Sequence, residues 1–170
     1  MMQRMEPLPL FESYVDLERV LPAFLLRCAV AALCGGIIGV ERERKGKPAG
    51  FRTNILICLG ASIYMSVGLL VPGEGVDATR IAAQVVTGIG FLGAGCIIQE
   101  GNNVRGLTSA ATIWVVAGIG IVVGAGYPVL ATVAAVMVVV TLATLAGVER
   151  RLFKHEAYDE YEGSNGDTGR

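Results

Sequence analysis

Acidic side chains are missing from most of this chain's length. None occurs at 20–40, 55–71, 80–98, 108–124 or 129–148. Histidine occurs once, at His155, the four cysteines form no CxxC pair, and aromatic residues make up only 6%. Each gap excludes something. With no histidine beside the cysteines, zinc and redox centres lack their usual spacing. Cys28, Cys34, Cys58 and Cys96 then read as small apolar side chains within apolar runs. No nucleophile–base pair and no metal cluster can be assembled, so the sequence does not point to an enzyme. Magnesium is held by oxygen ligands, commonly one or two carboxylates. Apolar runs with no carboxylate therefore count against a simple ion channel. Nucleic acid is not an expected partner.

What is present is apolar sequence in long blocks. Hydrophobic residues make up 53% of the 170, and the mean hydropathy is +0.58. Blocks of this kind cross ~30 Å of hydrocarbon at ~1.5 Å of helical rise per residue. The pattern predicts an all-α polytopic bundle of about five transmembrane helices, near 20–40, 55–71, 80–98, 108–124 and 129–148. A membrane domain over 20–148 is then flanked by an outer-face segment, 1–19, and a cytoplasmic tail, 149–170. The first segment places Leu10, Phe11, Tyr14, Leu17 and Leu21 near helical spacing, as a short surface helix would. It is mixed and acidic, and the following run is too long for a signal h-region, so no cleavable signal is expected. The tail turns acidic and Gly/Ser-rich, as solvated ends do.

The stretch 41–54, ERERKGKPAGFRTN, holds Arg42, Arg44, Lys45, Lys47 and Arg52 between the first two runs. A short basic loop of this kind stays on the cytoplasmic side. Five crossings then put the N-terminus outside and the C-terminus inside, with ten Lys/Arg inside and three outside. The chain is therefore read as a multi-pass protein whose first partner is the lipid bilayer.

Several groups of residues carry the remaining expectations. Small residues let membrane helices approach closely. Gly35 and Gly39 on helix one, Gly120 and Gly124 on helix four, and Gly88, Gly90, Gly93 and Gly95 on helix three are the packing candidates. The helix-three glycines contain a GxGxxG string, but no strand precedes it, so a dinucleotide site is not indicated. At ~100° per residue they fall on two opposed faces, which predicts helix three at the bundle's centre. Such faces also predict a homo-oligomer. Arg27 lies inside helix one, where a cation is costly. It either meets Gln84 and Thr87 at similar depth or snorkels outward along its own helix.

Glu41 and Glu43 close helix one. They read as ion-pair partners of Arg52 or Arg105 ahead of metal ligands for Mg2+. Arg52, Thr53, Asn54, Arg105, Thr108 and Ser109 stand at the starts of helices two and four. Unpaired N–H groups and a positive helix end attract anions, which predicts a site for lipid phosphate or a partner's carboxylate. Ordinary capping with positive-inside bias is the competing account. Asp77 suits an N-cap for helix three, with Val76 and Ile81 as a staple. Trp114 is expected to pack, and the ends of helices one and three echo each other as parallel repeats would.

At ERERKGKPAGFRTN, RIAAQVVTGIGFLGAG and VRGLTSAATIWVVAGIG the chain resembles the MgtC/SapB family of bacterial inner-membrane proteins. The resemblance covers roughly residues 20–150. It implies a multi-pass helical domain of the cytoplasmic membrane, linked to growth at low magnesium and to virulence inside host cells. It also implies, in some members, inhibition of the F-type ATP synthase. Many members carry a further cytosolic domain, for which this chain is too short. No cofactor is implied, and Mg2+ enters only as a ligand or transported ion. The expected function is a non-enzymatic regulator of magnesium or membrane-energy homeostasis that binds a membrane partner or lipid. The alternative is a transporter or channel for Mg2+ or another ion.

Overall fold

The computed structural model describes residues 14–70, 77–101 and 103–152. They form α1 (Tyr14–Arg44), α2 (Phe51–Leu70), α3 (Ala78–Ala94), β1 (Ile98–Glu100), β2 (Asn103–Arg105), α4 (Leu107–Gly124) and α5 (Pro128–Leu152). This is an all-α membrane bundle with one small hairpin. Four helices, α1, α2, α4 and α5, are long and apolar enough to cross a membrane. The fifth, α3, has 17 residues, or about 25 Å by helical rise.

Local chemistry sets the ends. At the end of α1, Lys47 N–H reaches Arg42 O at 3.1 Å and Gly46 N–H reaches Glu43 O at 3.0 Å. This is a Schellman closure, and Gly46 supplies its positive φ of 61°. The end of α4 repeats it: Tyr127 N–H bonds Val122 O, Gly126 N–H bonds Val123 O, and Gly126 has φ 95°. Pro128 then opens α5, where its missing N–H costs nothing. Asp77 caps α3 as expected, its carboxylate accepting the Thr79 hydroxyl at 2.6 Å and the Thr79 N–H at 2.8 Å. Those bonds, the hydroxyl's first, hold the Asp77 carboxyl below the usual range.

Several boundaries differ from the sequence reading. α1 is 31 residues long and overruns 20–40 at both ends, so 14–19 are its first turns and not a separate surface helix. Residues 1–13, Val76, His155 and the rest of the tail lie outside the described residues. α2 starts at Phe51, so Arg52, Thr53 and Asn54 are helical and do not precede the helix. α3 stops at Ala94, short of 98, because the chain turns into the antiparallel pair β1–β2, with Ile98 opposite Arg105. The α1–α2 connection is a capped loop and the α3–α4 connection is a hairpin, so the echoed ends do not extend to matching links.

Helix α4 is the centre of the bundle. Nine of its residues are buried, from Ser109 to Gly124, whereas α3 buries only Gly93. The expectation of a central α3 is overturned, and the glycines show why. A Cβ on Gly35 would meet the Asn54 carbonyl at 2.5 Å, and one on Gly39 would meet Phe51 Cα at 2.8 Å. One on Gly124 would meet Ser62 O at 2.5 Å, and one on Gly120 would collide with Cys58 O. α2 is thus gripped backbone to backbone by α1 on one side and α4 on the other. Gly88 and Gly90 have nothing within 4 Å, and Gly93 meets only Ala110 at 3.6 Å. Trp114 faces outward, 55% exposed, instead of packing inside. Exposed Leu25, Leu33, Phe91, Val129 and Met137 give the bundle an apolar exterior suited to lipid.

This geometry separates glycines that look alike in sequence. Gly124→Ala is expected to lower stability in detergent by about 1–3 kcal/mol through overpacking. Gly118→Ala, at an open position, is expected to be neutral or to stabilise by up to about 1 kcal/mol through helix propensity. Parallel thermal or denaturant unfolding of the two variants decides it, and equal effects would refute the packing account.

Candidate functional site

The charged end of the bundle is built from α1 outward. Glu41 is 11% exposed at its side chain and pairs with two cations of its own helix end, Arg42 and Lys45. The Lys45 ammonium lies 2.6 Å from the Glu41 carboxylate and donates to Leu142 O at 3.0 Å, tying α1 to α5. Arg42 is 2% exposed, and its Nη1 is buried without a hydrogen-bond partner among the described residues. Glu43 turns the other way and accepts the Phe51 N–H at 2.9 Å. The expected pairing of these glutamates with Arg52 or Arg105 is therefore replaced by Arg42, Lys45 and a helix N-terminus. The physical reason is proximity. Lys45 is one turn from Glu41, and the Schellman turn folds the chain back so that Glu43 lies over α2's first N–H groups.

This capping alters the anion-site expectation. The N-terminus of α2 already has a carboxylate, supplied within the chain. Asn54 is fully buried and donates to Ala49 O at 2.9 Å and Gly50 O at 2.8 Å, so its amide closes the loop. Ser109 is buried, whereas Arg52, Thr53, Arg105 and Thr108 are exposed. Arg52 and Thr53 border a groove against α3 that Arg105, Thr108 and Ser109 do not line.

Arg27 meets neither Gln84 nor Thr87. Its guanidinium donates to Gly124 O at 3.0 Å and lies beside Gly126, at the C-terminus of α4. Gln84 and Thr87 are exposed, and the Thr87 hydroxyl bonds its own Ala83 carbonyl at 2.8 Å. A cation at the last turn satisfies orphan carbonyls and complements the helix dipole. Arg27 therefore sits level with the α4–α5 turn, because α1 continues past the point where α4 ends.

Two features escaped the sequence reading. The first is a set of buried polar side chains on α2 and α4, namely Asn54, Ser62, Ser66, Ser109 and Thr112. Ser66 donates to Gly124 O at 3.3 Å, while Asn54 Oδ1 and Ser62 Oγ have no partner among the described residues. The second is a lateral groove of about 840 Å³ between α2 and α3, with Arg52 at one end and Arg80 at the other. Its available signal was the four-residue recurrence Leu56, Gly60, Tyr64 on one helix and Gln84, Gly88, Leu92 on the next. Each series marks one helical face.

A bundle of long apolar helices with a capped basic end defines a multi-pass membrane protein. Residues 28–151 match the MgtC family, and the chain belongs to it. It is 41% identical over 152 residues to the protein of Escherichia coli K12 named "Putative magnesium transporter YhiD", covering 85% of this chain and 71% of that one. It is 49% identical over 117 residues to Protein MgtC of Brucella abortus, covering 69% and 49%. Against Protein MgtC of Salmonella typhimurium the figure is 47% over 103 residues, covering 61% and 44%. The chain thus spans about half the length of these MgtC relatives. No solved structure matches.

Removing Glu41 leaves the buried Arg42 unpaired, so Glu41→Ala is expected to cost about 3 kcal/mol or more. Exposed Arg44→Ala is expected to cost well under about 1 kcal/mol. Unfolding in detergent checks both, and a Glu41→Ala protein as stable as its parent would show that the pair is not structural.

Proposed function

We propose that this chain is a non-enzymatic regulator of magnesium or membrane-energy homeostasis that acts by binding a membrane partner or a lipid. The observation that carries this reading is where the open space lies. The α1–α2 and α2–α4 interfaces are closed by glycine backbone contact, and both loop glutamates are engaged. A cavity of about 840 Å³ faces sideways between α2 and α3 and is lined largely by apolar side chains, and a smaller one of about 640 Å³ lies at the α1–α2 loop beside Glu43, Arg44 and Arg52. A lateral apolar groove suits a lipid or a partner's surface better than a hydrated ion. A membrane complex such as the F-type ATP synthase, implied by the family resemblance, is one partner of the right kind. In this reading the bundle lies in the bacterial cytoplasmic membrane with its basic end in the cytosol.

The second reading is a transporter for Mg2+ or another ion. The buried unpartnered oxygens of Asn54 and Ser62 favour it, as does the name given to the Escherichia coli relative. Mg2+ uptake into proteoliposomes holding the purified chain separates the two. The regulator reading expects uptake equal to protein-free vesicles, with a large membrane complex recovered after crosslinking in native membranes. Saturable uptake that scales with protein and falls in Asn54→Leu would move the assignment to transport. For the orientation, Lys47→Cys is expected to react with an impermeant thiol reagent only from the cytosolic side.

A further inference from the structure

We propose that the groove between α2 and α3 binds one anionic phospholipid, with acyl chain along the groove and phosphate at Arg52 and Thr53. The inference deepens the regulator reading and rests on it for its purpose. The lining, charge, ends and width of the groove support it. The walls are apolar, with Leu56, Ile57, Ile81, Val85, Ile89 and Leu92 facing the space, and no carboxylate lines it. The charged groups at its ends are both cations, Arg52 and Arg80, so the charge that complements the groove is negative.

The two ends are not equivalent. Arg80 stands close enough to Asp77 to help hold that carboxyl ionised. Neither arginine forms an ion pair among the described residues, but Arg52 has the Thr53 hydroxyl next to it in the groove lining, whereas Arg80 has the Asp77 carboxylate at its own helix end. The phosphate is therefore assigned to the Arg52 end. The glycines provide the width, since a Cβ on Gly60 or Gly88 would meet nothing within 4 Å.

Size and charge favour a lipid over the other occupants. At about 840 Å³ the space falls within the range of small-ligand sites, about 300–1,000 Å³. A partner helix of α3's length, ~10 Å across and ~25 Å long, would occupy roughly 2,000 Å³. A second copy docked about a two-fold axis would bring its own Arg52 and Arg80 to the same surface, and no lining carboxylate would meet them.

Native mass spectrometry of the full chain in detergent, titrated with phosphatidylglycerol and phosphatidylethanolamine, tests the assignment. The parent is expected to retain one phosphatidylglycerol with at least about tenfold preference, as a charge-assisted bond supplies. Arg52→Gln should bring the two lipids within about twofold of each other while the groove still binds. Gly88→Leu fills the groove from an open position and should lose both lipids without unfolding, and Lys47→Gln should match the parent. Undiminished lipid retention in Gly88→Leu, or an unchanged preference in Arg52→Gln, overturns the assignment. So does a dimer crosslinked through Gln84→Cys that adding Gly88→Leu abolishes, since the occupant is then a second copy. Lipid retention is read without ion flux, so failure of the site and failure of the regulator reading register in different measurements.

Discussion

The bundle depends on the absence of side chains along α2's two contact lines. Gly35 and Gly39 let α1 touch the backbone of α2, and Gly120 and Gly124 let α4 touch it from the other side. In lipid no hydrophobic gain accompanies helix association, because the tails are as apolar as leucine. Close backbone approach, and the dispersion contacts it allows, must supply the attraction instead. A methyl group at any of these four positions would push two helices apart along much of their length.

Polar groups then lock what the glycines bring together. Arg27 closes the end of α4, Ser66 donates to the same Gly124 carbonyl, and Lys45 reaches from α1 to Leu142 on α5. At the basic end, Glu41 neutralises buried Arg42 and Glu43 caps α2. A buried pair is weak evidence for net stability but strong evidence for dependence, since losing one partner strands the other. The loop charges that resemble a ligand site in sequence therefore spend much of their capacity holding α1, α2 and α5 together.

α3 stands apart from this framework. It buries only Gly93, and its other glycines open onto space. The same residue type thus performs opposite tasks: at Gly120 and Gly124 it admits a neighbouring backbone, and at Gly88 it leaves room beside the helix. That room, bounded by cations at both ends, is where the proposed lipid would lie.

The sequence by itself determined the class of protein. Apolar runs free of acidic residues need a membrane, and Asp77 marked the start of α3 correctly, since caps are local chemistry. It did not determine which glycine faces are filled, because helical periodicity places residues on a face without naming the neighbour. It left Arg27 either beside Gln84 and Thr87 by depth or snorkelling outward along its own helix, when the tertiary arrangement sets it against Gly124. It left Glu41 and Glu43 to distant arginines, when the turn after α1 brings nearer partners. Only the packed bundle decided these points, for a physical reason. Ion pairs, caps and grooves between helices depend on which surfaces meet, and in a membrane that choice is made by side-chain volume at a few contacts rather than by hydrophobic pattern.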